Sequence, residues 1–153
     1  MRLLVSLSVL FMVAQISSTP TLAAQETEVR AAMLANLDAW NDGDIGRFAD
    51  FYAKDTRGFN LDNGALIDGI PEIMLNAALR AGVRVEVEPR DIDIKTFGNV
   101  AVAVAYLDGS ITLPGGEPQP GTWRYSETRV KIDGTWKVVQ YHISPMVGGA
   151  RRR

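Results

Sequence analysis

Residues 122–145, TWRYSETRVKIDGTWKVVQYHISP, decide the fold of this chain. They predict two strands joined by a tight turn at Asp133-Gly134, because an Asp-Gly pair between two β-rich runs favours a hairpin. Each face of this hairpin carries aromatic or β-branched residues, whereas a sheet with one wet side alternates between apolar and polar side chains. We therefore expect both faces to be covered, one by helices and the other by a second subunit.

The alternation of side chains assigns each residue of the hairpin to a face. One face of the first strand carries Trp123, Tyr125, Glu127 and Arg129. Unbroken alternation in the second strand groups four residues on one face, Trp136, Val138, Gln140 and His142, and three on the other, Val139, Tyr141 and Ile143. A bulge would change this assignment, because a slip of one residue moves every following side chain to the other face.

Three helices are predicted before the main strands. Apolar residues at helical spacing indicate a first helix over residues 27–41. Asp44 is a suitable cap for a second helix, which we expect to include Tyr52 and to end at Asp55. Pro71 and Gly82 mark the start and end of a third helix. Its predicted inward face consists of Ile73, Met74, Ala77 and Ala78.

The remaining segments predict strands. Residues 56–61 and 65–67 form a small hairpin about Asp62-Asn63-Gly64. Residues 83–96 alternate around Pro89 and predict one long, bent strand. In residues 100–107 three alanines share one face, which indicates close packing against helices. The whole pattern predicts an α+β fold in which three N-terminal helices cover a curved, four-strand antiparallel meander and leave a pocket between them.

The start of the chain predicts export. Arg2, the apolar run 3–16, a polar segment and the small residues Ala23 and Ala24 have the layout of a secretory signal peptide. The apolar run is shorter than the span of about 20 residues that crosses a membrane. The alternatives are an uncleaved anchor or a core helix. We expect a signal peptide at 1–24, a periplasmic or extracellular domain at 25–146 and a disordered basic tail at 147–153.

Composition excludes several classes of function. Without Arg2 the chain has 15 basic and 18 acidic side chains, which disfavours a nucleic-acid partner. The absence of cysteine excludes disulfides, zinc fingers and thiol catalysis. One histidine among scattered carboxylates lacks the ligand clustering of a zinc site. We expect no metal, no cofactor and no membrane contact after the leader is removed.

Several short motifs carry a resemblance to a known group. They are Asn41-Asp42-Gly43-Asp44, Asp55, Gly69, the VAVAVAY strand from Val100, the run from Ser126 to Val130, the run from Asp133 to Val139, His142 and Ser144. Together they resemble the nuclear transport factor 2-like (NTF2-like) superfamily over residues 26–145. The similarity is greatest to SnoaL-like and DUF4440-type bacterial proteins and to the association domain of calcium/calmodulin-dependent protein kinase.

The resemblance implies a cone-shaped NTF2-like (cystatin-like) fold with a deep pocket, and homodimers or larger rings packed through the sheet. Ketosteroid isomerases of the superfamily use a Tyr and two Asp residues, but the corresponding positions hold Asn36, Asn60 and Thr128. This argues against steroid-isomerase chemistry. The kinase association domain lines its pocket with arginines, of which this chain matches one at Arg129.

Two residues are candidates for chemistry. Arg129 would anchor a carboxylate if it points into the cone; the alternative is an ion pair with Glu127 or Glu86 on a solvated face. His142 is the only histidine and would serve as a general acid or base, with Glu127 orienting it. The alternative is a structural histidine without a catalytic role.

The candidate ligand-binding side chains are those expected to line the pocket: Arg129, Trp40, Tyr52, Asn60, Tyr106 and Tyr125. For the aromatic members the alternative is plain core packing. Three functions therefore remain open. The first is a secreted protein that binds a small, partly hydrophobic molecule, with or without an anionic group. The second is an isomerase, dehydratase or hydrolase that uses His142. The third is an oligomerisation module without catalysis.

Overall fold

The computed structural model describes residues 21–59 and 64–146. Its elements, in chain order, are α1 (Leu22–Asn41), α2 (Ile45–Ala49), β1 (Tyr52–Phe59), β2 (Leu66–Asp68), α3 (Glu72–Arg80), β3 (Arg84–Phe97), β4 (Val100–Thr112), β5 (Gln119–Ile132) and β6 (Thr135–Pro145). The predicted α+β class is confirmed. Residues 1–20, the tail 147–153 and Asn60 lie outside the described residues, so most of the predicted signal peptide does too.

The strands form one six-stranded sheet in the order β2-β1-β6-β5-β4-β3. The predicted meander is confirmed, because β3, β4, β5 and β6 pair antiparallel in sequence. The small hairpin of β1 and β2 is also present. The sequence did not indicate that β1 lies parallel to β6. Asp133 and Gly134 both have positive φ, 48° and 81°, as a two-residue type I′ hairpin turn requires.

The core lies between α1 and the inner face of the sheet. Val29, Met33 and Leu37 of α1 are buried at the helical spacing that the sequence predicted. Opposite them, Ala101 and Ala103 of β4 are buried in the same cluster, so the prediction of small residues under the helix is confirmed. The helix makes most of its contacts with the sheet at the neighbouring strand β3.

The second predicted helix is wrong in its extent. α2 ends at Ala49, and both Tyr52 and Asp55 belong to β1. The backbone N–H of Val138 donates to the carbonyl of Phe51 at 2.8 Å, and Tyr52 pairs with Val138. Strand pairing with β6 therefore overrides the helical pattern. α1 also differs from its prediction: it begins at Leu22, with the Thr21 hydroxyl as cap, so the predicted cleavage point lies in its first turn.

The predicted inward face of α3 is wrong. Ile73 is 84% exposed and Met74 is 67% exposed, and no residue of α3 is buried. The helix packs against α2 and makes few contacts with the sheet. It ends as expected, with Gly82 at φ 99°. Within the described ranges, no helix combines the length and apolar character needed to span a bilayer.

Two bulges decide which way side chains point. In β3 the register shifts between Arg90 and Asp93, where Asp91 has a φ of 52°, in agreement with the predicted bend. The pairing of β5 with β6 shifts as well: Thr128 pairs with Gln140 but Arg129 pairs with Val138. Val139 is therefore the extra residue of β6, and the alternation predicted for this strand reverses there.

Candidate functional site

A buried ion pair lies on the inner face of β5. The Arg129 Nε donates to Glu127 Oε1 at 2.5 Å and its Nη2 donates to Glu127 Oε2 at 3.0 Å. Both side chains are completely buried. The remaining guanidinium nitrogen, Nη1, reaches the carbonyl of Trp136 at 3.4 Å. This two-point contact uses the donor geometry with which arginine binds a carboxylate, so Glu127 occupies the place that an anionic ligand would take.

Tyr125 extends the pair into a polar cluster. Its hydroxyl donates to Glu127 Oε2 at 2.7 Å. Burial raises the pKa of Tyr125 well above its usual value, and the charge of Glu127 raises it further. The pKa of Tyr52 is raised for the same two reasons, burial first and Glu127 second. Both phenols therefore remain neutral and keep their protons at ordinary pH.

Arg129 remains charged despite its burial. Burial acts to lower the pKa of the guanidinium, but the adjacent Glu127 carboxylate outweighs it and the pKa is raised overall. The cluster consequently contains one full positive and one full negative charge, and its net charge is zero. The structure has the ion pair of Arg129 with Glu127 that was the alternative to ligand binding, but in the interior and not on a solvated face.

Aromatic rings continue the inner wall from α1 to β6. Trp40 lies 4.9 Å from Phe48, Phe48 lies 4.9 Å from Tyr52, and Tyr52 meets Tyr141 edge-on at 5.6 Å, all measured between ring centroids. The structure thus brings Trp40, Tyr52 and Tyr125 to the inner side, as predicted. Tyr141 is a further member of this wall. The alternation in the sequence assigned Tyr141 and Trp136 to different faces of β6, because the bulge at Val139 leaves no mark in the sequence.

Two buried threonine hydroxyls of the inner side, those of Thr56 and Thr96, have no partner among the described residues. Thr56 of β1 is completely buried, and its Oγ1 makes no hydrogen bond with residues 21–59 or 64–146. Alternation places it on the same face as Gly58, over which the ring of Tyr141 lies so closely that a Cβ at Gly58 would be 2.2 Å from it. A second polar group here, Asn36, is buried and donates to the carbonyl of Phe48 at 3.4 Å. Sequence reasoning missed Thr56, since a threonine in a strand is ordinary.

His142 lies on the other side of the sheet. It pairs with Ser126, whereas Glu127 pairs with Tyr141, so the two predicted catalytic residues point in opposite directions. The expectation that Glu127 orients His142 is therefore wrong. Because of the bulge at Val139, Gln140 and His142 face outward, whereas Trp136 and Val138 face inward. The imidazole instead meets the ring of Phe59 edge-on at 5.7 Å.

Tyr106 is also on the outer face. It pairs with Arg124, and the guanidinium of Arg90 lies 4.4 Å above its ring. The expected place of Tyr106 in the inner wall is therefore wrong. Asn60, the remaining candidate, lies outside the described residues. Of the positions matched to the isomerases, Thr128 faces outward opposite Val102.

Two concavities open elsewhere on the described surface. One, of about 280 Å³, lies on the outer face and is lined by Asp91, Val104, Ala105, Tyr106, Arg124, Tyr125, Ser126 and His142. The other, of about 410 Å³, is lined by Asn41, Glu86, Val87, Glu88, Asp108, Gly109 and Ser110. Neither is bordered by Arg129 or Glu127. Among the described residues, no three acidic or histidine side chains come together as a metal site would need.

Comparison with known proteins agrees with this architecture. The chain is similar to an NTF2-like protein from Cytophaga hutchinsonii, with 18% identity, a TM-score of 0.67 and coverage of 80% of this chain and 98% of that one. It is similar to the association domain of CaMKII from C. elegans, with 20% identity, a TM-score of 0.66 and coverage of 80% and 96%. A ketosteroid isomerase-like protein from Erwinia carotovora atroseptica shows 19% identity, a TM-score of 0.66 and coverage of 81% and 98%.

These likenesses extend to the fold alone, because identities are low. They confirm the predicted resemblance and the NTF2-like fold class. No curated protein matches the sequence with significance. The sequence pattern of one family, described as the SnoaL-like domain, matches residues 29–148, which is most of the chain. The protein therefore belongs to the SnoaL-like domain family.

Proposed function

We propose that the protein is exported and binds a small, uncharged, partly hydrophobic molecule on the inner side of the sheet, beside Thr56, Tyr52 and Tyr141. The observation that carries this proposal is the Thr56 hydroxyl, which is completely buried and has no hydrogen-bond partner among the described residues. Leaving a buried hydroxyl unpaired costs about 1–3 kcal/mol. A bound molecule that supplies a hydrogen-bonding group at this point would recover that free energy.

The charge balance of the interior supports a neutral ligand. Arg129 is the one candidate anchor for an anion that the sequence predicted, and Glu127 already holds it at two points. A carboxylate that displaced Glu127 would leave that residue buried and unpaired, which is strongly unfavourable. We therefore propose a ligand without the anionic group that the sequence analysis had left open.

The surroundings of Thr56 support a ligand with an apolar body. The rings of Tyr52 and Tyr141 meet there, and Phe48 and Trp40 continue the apolar surface toward α1. Ligand sites of small molecules commonly combine such a wall with a few polar groups that fix orientation. Here those groups are the Thr56 hydroxyl and the neutral phenol of Tyr52.

Thermal-shift screening tests the binding proposal. The mature chain, residues 25–153, is screened with neutral sterols, aromatic alcohols and aromatic amides, and with their carboxylate counterparts. We expect a neutral compound to raise the Tm and Thr56→Val, which keeps the shape and removes the hydroxyl, to weaken that effect about tenfold in affinity, as loss of about 1.4 kcal/mol implies.

Thr96→Val is the matched control, because Thr96 is also buried with an unpaired hydroxyl but lies on β3. This variant should bind as the wild type does. The proposal fails if no neutral compound shifts the Tm, or if both variants reduce binding equally.

Export is tested separately. The full chain and a version without residues 1–24 are expressed in a bacterial host, and periplasm and cytoplasm are assayed with the N-terminus determined by mass spectrometry. We expect the full chain to reach the periplasm with its leader removed and the shortened chain to stay in the cytoplasm. Retention of Met1 in the cytoplasm would contradict export and leave the ligand proposal intact.

Self-association is a second candidate function, favoured by the outer face. Val102 and Val104 are 40% and 43% exposed on neighbouring outward positions of β4. A second copy of the chain placed on these residues would cover the face that the sequence predicted to be buried.

We assign no catalytic role to His142 and Glu127, since the sheet lies between their side chains.

A further inference from the structure

We propose a second binding site, on the outer face of the sheet, that accepts a small monocarboxylate between Arg124, Ser126 and His142. It lies in the concavity of about 280 Å³ that these residues line. The site is independent of the interior one, because its side chains point away from Arg129 and Glu127. It does not depend on the proposed interior ligand.

Strand register brings the three side chains together. Ser126 of β5 is directly opposite His142 of β6, and Arg124 is two residues away on the same face, opposite Ser144. Directly opposed side chains on one face have Cβ atoms about 5 Å apart and diagonal ones about 7 Å apart. A carboxylate between them is therefore within reach of a guanidinium, a hydroxyl and an imidazole.

The donors at this site are free. Arg124 makes one hydrogen bond, at 3.4 Å, to the carbonyl of Pro145, and it forms no ion pair with any described residue. Ser126 and His142 make no side-chain hydrogen bond with described residues. Their polar groups are thus available, in contrast to those of Arg129, which Glu127 and Trp136 occupy.

Neighbouring acidic groups are paired with Arg90, whose single positive charge offsets one of their two negative charges. Asp91, which also lines the concavity, accepts from Arg90 Nη1 at 2.7 Å, and Asp108 accepts from Arg90 Nε at 2.5 Å. Both carboxylates are therefore directed at Arg90, and Arg124, which lines the concavity, has no carboxylate partner among the described residues. The guanidinium of Arg124 can therefore hold one carboxylate by charge-assisted hydrogen bonds.

The apolar boundary indicates the rest of the ligand. Val104 lines the concavity, and the exposed ring of Phe59 meets the imidazole of His142. The volume suits a single ring or a short aliphatic chain. We infer that the occupant is a small aromatic or aliphatic monocarboxylate, and benzoate is the simplest compound of that class.

NMR titration of the full mature chain with sodium benzoate tests this site. Arginine Nε–Hε and histidine ring signals report the two faces separately, since Arg124 and His142 face outward and Arg129 faces inward. We expect benzoate, at up to about 20 mM as suits a weak millimolar affinity, to shift the Arg124 and His142 signals and leave that of Arg129 unchanged. Neutral benzamide should shift none of them.

Variants complete the test. Arg124→Gln should weaken benzoate binding at least about tenfold, because the charge-assisted contact is lost, and His142→Ala should weaken it less. Arg80→Gln removes the same charge from an exposed end of α3 and should bind as the wild type does. The proposal is overturned if benzoate shifts no outer-face signal, if it shifts Arg129 instead, or if Arg124→Gln binds normally. None of these results would show whether a neutral ligand binds beside Thr56.

Discussion

At the scale of single residues, the buried pair of Glu127 and Arg129 has the largest consequences. Burying two charges is expensive, and their attraction offsets that cost only when geometry is good and other donors satisfy the remaining oxygens. Here the contact is made at two points and Tyr125 donates to the same carboxylate. The pair thus fixes the inner wall of the cone but leaves little capacity for binding an anion.

The first prediction concerns removal of one partner. Glu127→Ala should lower the free energy of unfolding by about 3–5 kcal/mol, because Arg129 is left buried without its counter-ion. The double variant Glu127→Met with Arg129→Leu should recover most of that loss. Urea unfolding measures both.

Glu117→Gln, in the exposed loop before β5, is the control and should unfold like the wild type. If Glu127→Ala changed stability by no more than this control, the pair would have no role in stability.

At the scale of elements, a polar contact ties α1 to the β5–β6 hairpin. Glu28 Oε2 accepts from Lys131 Nζ at 2.6 Å and from Trp136 Nε1 at 3.0 Å. The hydrogen bonds from Lys131 and Trp136 lower the pKa of Glu28, against a smaller effect of burial. A lowered carboxyl pKa means that the folded state stabilises the ionised carboxylate more than the protonated acid.

The second prediction is an acid-dependent loss of stability. The contribution of Glu28 is present above the pKa of an unfolded glutamate, about 4.3, and is lost as the pH falls through the lower folded value. Urea unfolding at pH 7 and pH 3 should therefore show a smaller pH effect in Glu28→Gln than in the wild type.

Glu26→Gln, two residues earlier on the same helix, is the matched control and should keep the wild-type pH dependence. An equal pH effect in Glu28→Gln and the wild type would contradict the assigned sign.

The pairing of β3 with β4 requires a glycine at position 109. A Cβ at Gly109 would lie 1.9 Å from the carbonyl oxygen of Glu86 on the paired strand. The third prediction is that Gly109→Ala lowers the free energy of unfolding by about 1–3 kcal/mol, since the two backbones must separate. Chemical denaturation measures this.

Gly46→Ala in α2 is the comparison, because the nearest atom to a Cβ there is 3.7 Å away. It should be neutral or stabilising by up to about 1 kcal/mol, as alanine favours a helix. Equal effects of the two alanines would contradict the close approach at Gly109.

At the scale of the whole molecule, the outer face of the sheet is divided. Toward the β5–β6 turn it presents Val102 and Thr128, and toward the other end it presents Tyr106 and Arg124. The first part suits contact with a second copy of the chain, the second contains the proposed carboxylate site, and Val104 borders both. The interior site is on the other side of the sheet.

The fourth prediction is that the mature chain sediments as a homodimer or larger homo-oligomer at micromolar concentration. Val102→Lys combined with Val104→Lys should yield monomers, because charges would be buried in the contact. Leu113→Lys, at an exposed leucine of the β4–β5 loop, should leave assembly unchanged. A monomeric wild type, or a double variant that still assembles, would contradict this use of the outer face.

The sequence alone determined the fold class, the antiparallel meander, the hairpin turn at Asp133-Gly134 and the burial of the alanine face of β4, because turn preference and alternation are local properties. For Arg129 it offered an ion pair with Glu127 or Glu86 only as the alternative to ligand binding. Only the tertiary structure decided that Tyr52 belongs to a strand beside β6, that His142 is separated from Glu127, and that Thr56 is buried without a partner. These features depend on pairing between distant segments and on a bulge at Val139, whose single extra residue reverses the two faces without leaving a signal in the sequence.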